Sequence, residues 1–144
     1  MNYEVKIQNS VTRVFKVVFP NITNHHNTMF GGTVMEMMDE IAFMTATRFA
    51  RKSFVTVSCD RIDFKKPIPA DTIVELIGKV KYVGNTSLKV NVEIYVEEMY
   101  GESREKAVAG DFTLVAIDEA KKPLKIFENS VVVNELRSNR VLTQ

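Results

Sequence analysis

The 144-residue chain lacks most of the features that narrow a function at once. It holds one cysteine, Cys59, which excludes an internal disulfide framework and suits a reducing compartment. No apolar run reaches the length of a membrane span. The opening MNYEVKIQNS has neither the basic start nor the apolar middle of a secretory leader. Charge of one sign is missing too: 19 Lys and Arg against 18 Asp and Glu leave a formal +1. So weak a global field draws the chain neither to nucleic acid nor to a membrane surface. There is no Gly-x-Ser-x-Gly elbow and no phosphate-cradling loop. Repeats, linkers and low-complexity segments are absent as well. The expectation is a cytoplasmic protein forming one domain over 1–144, large enough for its own core.

What is present is a sharp contrast of periods. VTRVFKVVFP (11–20) is β-branched and aromatic up to Pro20 and reads as a strand. A polar loop follows. From about Thr33 to Arg51, Met35, Met38, Ala42, Thr45 and Phe49 recur at helical spacing. Val34, Met37, Ile41 and Met44 form a second apolar row. A helix apolar on most faces is a buried one. Four alternating segments come next, at 53–64, 71–84, 86–98 and 105–118. In the third of these, Leu88, Val90, Val92, Ile94 and Val96 face one way. Gly84-Asn85 marks a hairpin turn, and Gly110 a bulge. The residues from about Phe127 to the end read as a tail able to form a helix.

One strand, one long apolar helix and four long strands make an α+β layer. One sheet gives such a helix little cover, so the sheet must wrap it or a partner subunit must. Strand edges also need protection, and pairing them across a two-fold extends the sheet. A homodimer follows from that argument.

The chemistry concentrates in NHHNTMFGGTVMEMMDEIAF, residues 24–43. Asp39 sits well inside the apolar helix, where a buried unpaired carboxylate is costly and implies a task. Gly31 and Gly32 stand at the helix start, where unpaired backbone N–H groups face outward. Such groups can polarise a carbonyl and stabilise its tetrahedral oxyanion, and glycine lets a substrate come close. Glu36 and Glu40 read as solvated or structural. So do His25 and His26, since adjacent loop side chains tend to diverge and no Cys or acid stands at metal-ligand spacing beside them. No metal is expected. Cys59, on a strand pattern with no evident base, reads as a small core residue.

Three features carry a resemblance. Asn24 stands seven residues before Gly31, the Phe30-Gly31-Gly32 step opens the helix, and Asp39 lies seven residues beyond Gly32. VTVSCDRIDFKKPI, GNTSLKVNVEIYVEE and FTLVAIDEAKKP then follow in order. Over nearly the whole chain this resembles the acyl-CoA hydrolase family of hot-dog-fold thioesterases. In one departure, Asn27 stands in the loop where the family commonly has Gly or a small residue.

The resemblance implies a hot-dog fold, a long antiparallel sheet wrapped around one central helix. It implies hydrolysis of an acyl-CoA thioester to a fatty or shorter carboxylic acid and coenzyme A. Asp39 would act as general base or nucleophile, and Gly32 with Gly31 would form the oxyanion site. Asn24 would face the acid of the neighbouring subunit. Thr56 falls where the family often has a hydroxyl near the acid. Thr86 and Ser87 would touch the pantetheine or phosphates of coenzyme A, and a simple hairpin accounts for them as well. Lys65, Lys66, Lys79, Lys81 and Lys89 would suit those phosphates. The acyl chain would lie against the helix's Met and Phe side chains in a mostly apolar channel, the methionines tolerating varied acyl shapes. No cofactor is needed beyond coenzyme A within the substrate, and the assembly would be a dimer or a hexamer of three dimers. Two alternatives stay open: a hot-dog hydratase or dehydratase using His25 or His26, and a non-catalytic acyl-CoA sensor.

Overall fold

The structure, a computed structural model, describes residues 3–127. The C-terminal tail expected to be able to form a helix lies outside the described residues from 128 onward. Five strands form one antiparallel sheet: β1 (Thr12–Val17), β2 (Ser53–Phe64), β3 (Thr72–Val83), β4 (Ser87–Glu98) and β5 (Arg104–Ile117). Their order is β1-β3-β4-β5-β2, so the first two strands of the chain occupy the two edges. The long helix α2 (Gly31–Ala50) connects them. A short helix, α1 (Tyr3–Asn9), precedes β1 and was not expected from the sequence. Its seven residues give too little periodicity to read. Contacts hold it instead: Tyr3 packs beside Phe49 and Phe127, and Arg48 donates to the Asn9 carbonyl at 3.0 Å.

The strand alternation becomes two faces. Val74, Leu76, Val80, Leu88, Val90, Val92 and Ile94 are buried against α2. From the helix come Val34, Met38, Ile41, Ala42, Ala46 and Phe49. Each large side chain so buried contributes roughly 1.5–3 kcal/mol. The helix lies tight on β3 at Gly78, where an added Cβ would collide with the Thr45 hydroxyl and come within 2.9 Å of the Ile41 side chain. Three residues, Gly84 to Thr86, join β3 to β4, with the Gly84 N–H donating to the Ser87 carbonyl at 2.7 Å.

The bulge expected at Gly110 is on the opposing strand. Asp60 and Asp63 pair with Asp111 and Ala109, leaving Arg61 and Ile62 facing Gly110. Arg61 is left-handed, with φ 54°, and the Ile62 side chain fills the space a side chain at Gly110 would need. The short edge strand β1 is anchored on the far face of the sheet. Buried Glu75 accepts from Arg13 at 3.2 Å and from Arg104 at 2.7 Å, and Arg104 also reaches Glu97 at 2.6 Å. Charged hydrogen bonds of this kind are the strong ones.

Both sheet edges, β1 and β2, reach α2, and among the described residues one strip of the helix between them stays uncovered. Among the described residues, no helix is long and apolar enough to cross a membrane.

Candidate active site

Asp39 faces that open strip. The Thr56 hydroxyl donates to its Oδ1 at 2.6 Å, so the two residues expected near one another are in direct contact. Asp39 is exposed, however, and the expectation of a buried acid does not hold for the chain on its own. The apolar pattern of α2 suggested cover all round, yet the sheet covers one side. Met37 and Met44, in the second apolar row, are only half-buried, and Phe43 is 47% exposed.

A cleft of about 600 Å³ surrounds Asp39 and Thr56. Lys16 of β1 and Phe54 of β2 lie on its walls, so the two sheet edges flank it. The helix adds Glu36, Met37, Glu40 and Phe43. Glu36 and Glu40, expected to be solvated or structural, line the cleft; Lys16 and Phe54 were not expected there, whereas the helix Phe side chains were expected along the acyl channel and Phe43 stands on its wall. The signal for the two rings is simple. Phe43 is one turn beyond Asp39 on the same helix face, and Phe54 is two residues before Thr56 on the same strand face. Lys16 carries no such signal.

Gly31 and Gly32 open α2 after Phe30, two residues earlier than the helix start expected from periodicity. The first i to i−4 bond at this end runs from the Val34 N–H to the Phe30 carbonyl at 3.0 Å, so the N–H groups ahead of it have no helical partner. Neither glycine has positive φ. An added Cβ at Gly32 meets nothing within 4 Å, and one at Gly31 meets only Phe64, at 3.8 Å. The turn into the helix therefore does not need them. Gly32 and Asp39 lie on one face two turns apart, about 10 Å along the axis.

Asn24 is absorbed in its own loop. Its Oδ1 accepts from the His26 N–H at 2.8 Å and from the N–H and hydroxyl of Thr28, both at 3.2 Å. Asn27 takes a left-handed φ of 60°, a conformation that Gly and Asn tolerate best. That conformation accounts for a residue other than the family's usual glycine. Neither Asn24 nor the two glycines line the cleft around Asp39 in the same chain. His25 and His26 do not line it either; both are exposed, with ring centroids 3.8 Å apart.

Thr86 ends the β3–β4 connection, its carbonyl accepting from the Ala116 N–H at 2.9 Å, and Ser87 begins β4; neither lines the cleft. Cys59 is exposed on the edge strand β2, contrary to the expected core position. Lys66 and Lys81 are engaged with Glu105 and Asp111, each at 2.8 Å. Partial burial alone would push the Asp111 carboxyl up, but hydrogen bonds from Lys81 and Asn91 outweigh it and hold the carboxyl below its ordinary range. Lys79, Lys81 and Lys89 stand on the sheet face turned away from α2, so the lysines do not form one patch beside Asp39.

Several known proteins are similar to this chain in sequence or fold. An acyl-CoA thioester hydrolase of Bacillus subtilis, YkhA, itself uncharacterized, is 41% identical over 109 residues, or 76% of this chain and 63% of its own length. The chain thus spans about three-fifths of that relative. The acyl-CoA hydrolase of Staphylococcus aureus, solved with butyryl coenzyme A and coenzyme A, superimposes with a TM-score of 0.79 at 33% identity, covering 94% of this chain and 90% of that one. Three further structures of that enzyme replace an Asp, a Thr and an Asn by Ala. Their Asn and Asp are fifteen residues apart, and their Asp and Thr seventeen, the same spacings as Asn24, Asp39 and Thr56 here. A hexameric thioesterase of Yersinia pestis matches with a TM-score of 0.73 at 30% identity, over 78% of this chain and 91% of that one. Residues 26–102, from the loop before α2 to the turn after β4, match the Thioesterase superfamily. The chain belongs to that superfamily and has the hot-dog fold of the acyl-CoA hydrolases to which it is similar.

Proposed function

We propose that the protein hydrolyses acyl-CoA thioesters in a site assembled from two copies of the chain. The observation that carries this reading is the exposed Asp39–Thr56 pair in an unfinished cleft, at a spacing shared with the Asp and Thr replaced in the Staphylococcus aureus enzyme. Water attacks the thioester carbonyl carbon, the C–S bond breaks, and the products are a carboxylic acid and coenzyme A. Asp39 takes the proton from that water, or attacks first to form an anhydride that water opens. Single turnover in ¹⁸O-labelled water tests the anhydride: label in the Asp39 carboxylate requires that water opened an anhydride at the Asp39 carbonyl, whereas direct attack of water on the thioester labels the product acid alone. The Thr56 hydroxyl aims the carboxylate. Nothing in this scheme calls on a metal or redox group.

The oxyanion site fits the first turn of α2, whose N–H groups carry the positive end of the helix dipole. Within one chain, Gly32 is too far along the axis for both it and a directly attacking Asp39 to touch one carbonyl. Gly32 and Asn24 of one copy completing the cleft of another resolves that distance. The twelve-residue edge strand β2, with Val55 and Val57 exposed, is the surface for edge-to-edge pairing. A dimer, or a hexamer of three dimers, supplies the second chain, and the Yersinia pestis relative is hexameric. We place the enzyme in the cytoplasm.

The direct test follows thiol release from a panel of acyl-CoAs, acetyl to palmitoyl. Release above the uncatalysed rate supports the reading, and binding without release points to a sensor. Gly32→Ala adds a sharper check. Its methyl meets open space in the folded chain, so Tm is expected to hold or rise slightly. The same methyl stands where the substrate carbonyl must approach, so kcat/KM is expected to fall at least about tenfold. Unchanged kinetics would remove this helix terminus from the site.

A further inference from the structure

We infer that Phe43, backed by Phe54, is the end wall of the acyl channel and restricts the enzyme to short acyl chains. This rests on the proposed hydrolysis at Asp39. Helix α2 ends at Ala50, turns through the left-handed Arg51, and β2 begins at Ser53, so β2 runs back along the helix. The Thr56–Asp39 hydrogen bond ties the two elements at one point. Phe43 lies four residues beyond Asp39 on the helix, a rise of about 6 Å. Phe54 lies two residues before Thr56 on the strand, a step of about 7 Å. Because the elements are antiparallel, both displacements point the same way. Both rings line the same cleft as Asp39 and Thr56.

The opposite direction, toward the helix start, leads to Glu36, whose carboxylate does not suit an alkyl tail. An acyl tail therefore runs toward the two rings. An extended chain advances ~3.5 Å per three bonds, so about five bonds reach the wall. Phe54 is buried at 4% exposure and fixed, whereas Phe43 is 47% exposed. Phe43 can thus be changed without opening the core. The Staphylococcus aureus relative was solved with butyryl coenzyme A, whose four-carbon acyl group has three C–C bonds and would stop short of such a wall.

The test measures kcat/KM for butyryl-, hexanoyl-, octanoyl- and decanoyl-CoA with the full chain and with Phe43→Ala and Phe43→Trp. The full chain is expected to favour the two shorter substrates. Phe43→Ala should raise the octanoyl-to-butyryl ratio at least about tenfold, since a pocket discriminates by this much or more per methylene. Phe43→Trp should lower the same ratio. A full chain that prefers decanoyl-CoA, or a ratio that moves in neither variant while thiol is still released, overturns the wall. If Phe43→Ala loses all turnover, the Trp variant decides by the direction of its ratio. Absence of thiol release by the full chain on every substrate is a different failure, that of the hydrolase reading itself.

Discussion

Asp39→Asn is expected to cut kcat for acyl-CoA hydrolysis by about a thousandfold or more, within the range for loss of a general base and larger for loss of a nucleophile. The substitution is nearly isosteric, and its carbonyl oxygen can still accept the Thr56 hydrogen bond. Since the side chain is exposed, the core does not change, and Tm should stay within a degree or two. Binding of coenzyme A, followed by calorimetry, should persist. The informative pattern is the split, with turnover gone while fold and binding are kept. Turnover within tenfold of the original would exclude Asp39 from the chemistry. Parallel loss of turnover and Tm would instead make it structural.

The second large effect concerns stability. Gly78→Val is expected to destabilise the fold by about 3 kcal/mol, the upper end for overpacking a well-filled core. At this chain length that lowers Tm by about 10 °C. The added side chain would enter the space held by Thr45 and Ile41 at the closest approach of α2 to β3. Thr45 cannot move away freely, because its hydroxyl donates to the Ile41 carbonyl at 2.7 Å. The whole helix must then rise from the sheet, and Asp39 rises with it away from Thr56. Activity should therefore fall below what the loss of folded protein explains, even well below Tm. A Tm within 2 °C of the original would mean that α2 does not depend on that contact.

Much of this architecture is legible in the residues. The alternation from Leu88 to Ile94 survives as a buried face, and the spacing of Met38, Ala42, Thr45 and Phe49 survives as the inner stripe of α2. The acid and its hydroxyl partner are also legible. What the pattern could not convey is where cover ends. Met37, Met44 and Phe43 are as apolar as Met38, but they fall in the opening between the sheet edges. Cys59 was misread for a related reason, because a β-branched neighbourhood looks the same on a central strand and on the edge strand β2. Helix α1 escaped notice because tertiary contacts hold it, not its own periodicity. Asn24 shows the deepest gap. Its part in its own loop is visible in one chain, whereas any part beside Asp39 belongs to two.

The unpaired length of β2 has a further consequence for how the molecule behaves on dilution. Among the described residues β2 pairs only with β5, and its open edge, twelve residues long with Val55 and Val57 exposed, makes the lone chain the species that loses most by being alone. If the site closes only when two chains meet, each chain is inert as it leaves the ribosome and becomes an enzyme by mass action. Specific activity should then fall as the protein is diluted, and the concentration at half activity reports the dimer dissociation constant. Expression level would act as a threshold: below it, the chain adds sticky strand edges to the cell without adding catalysis.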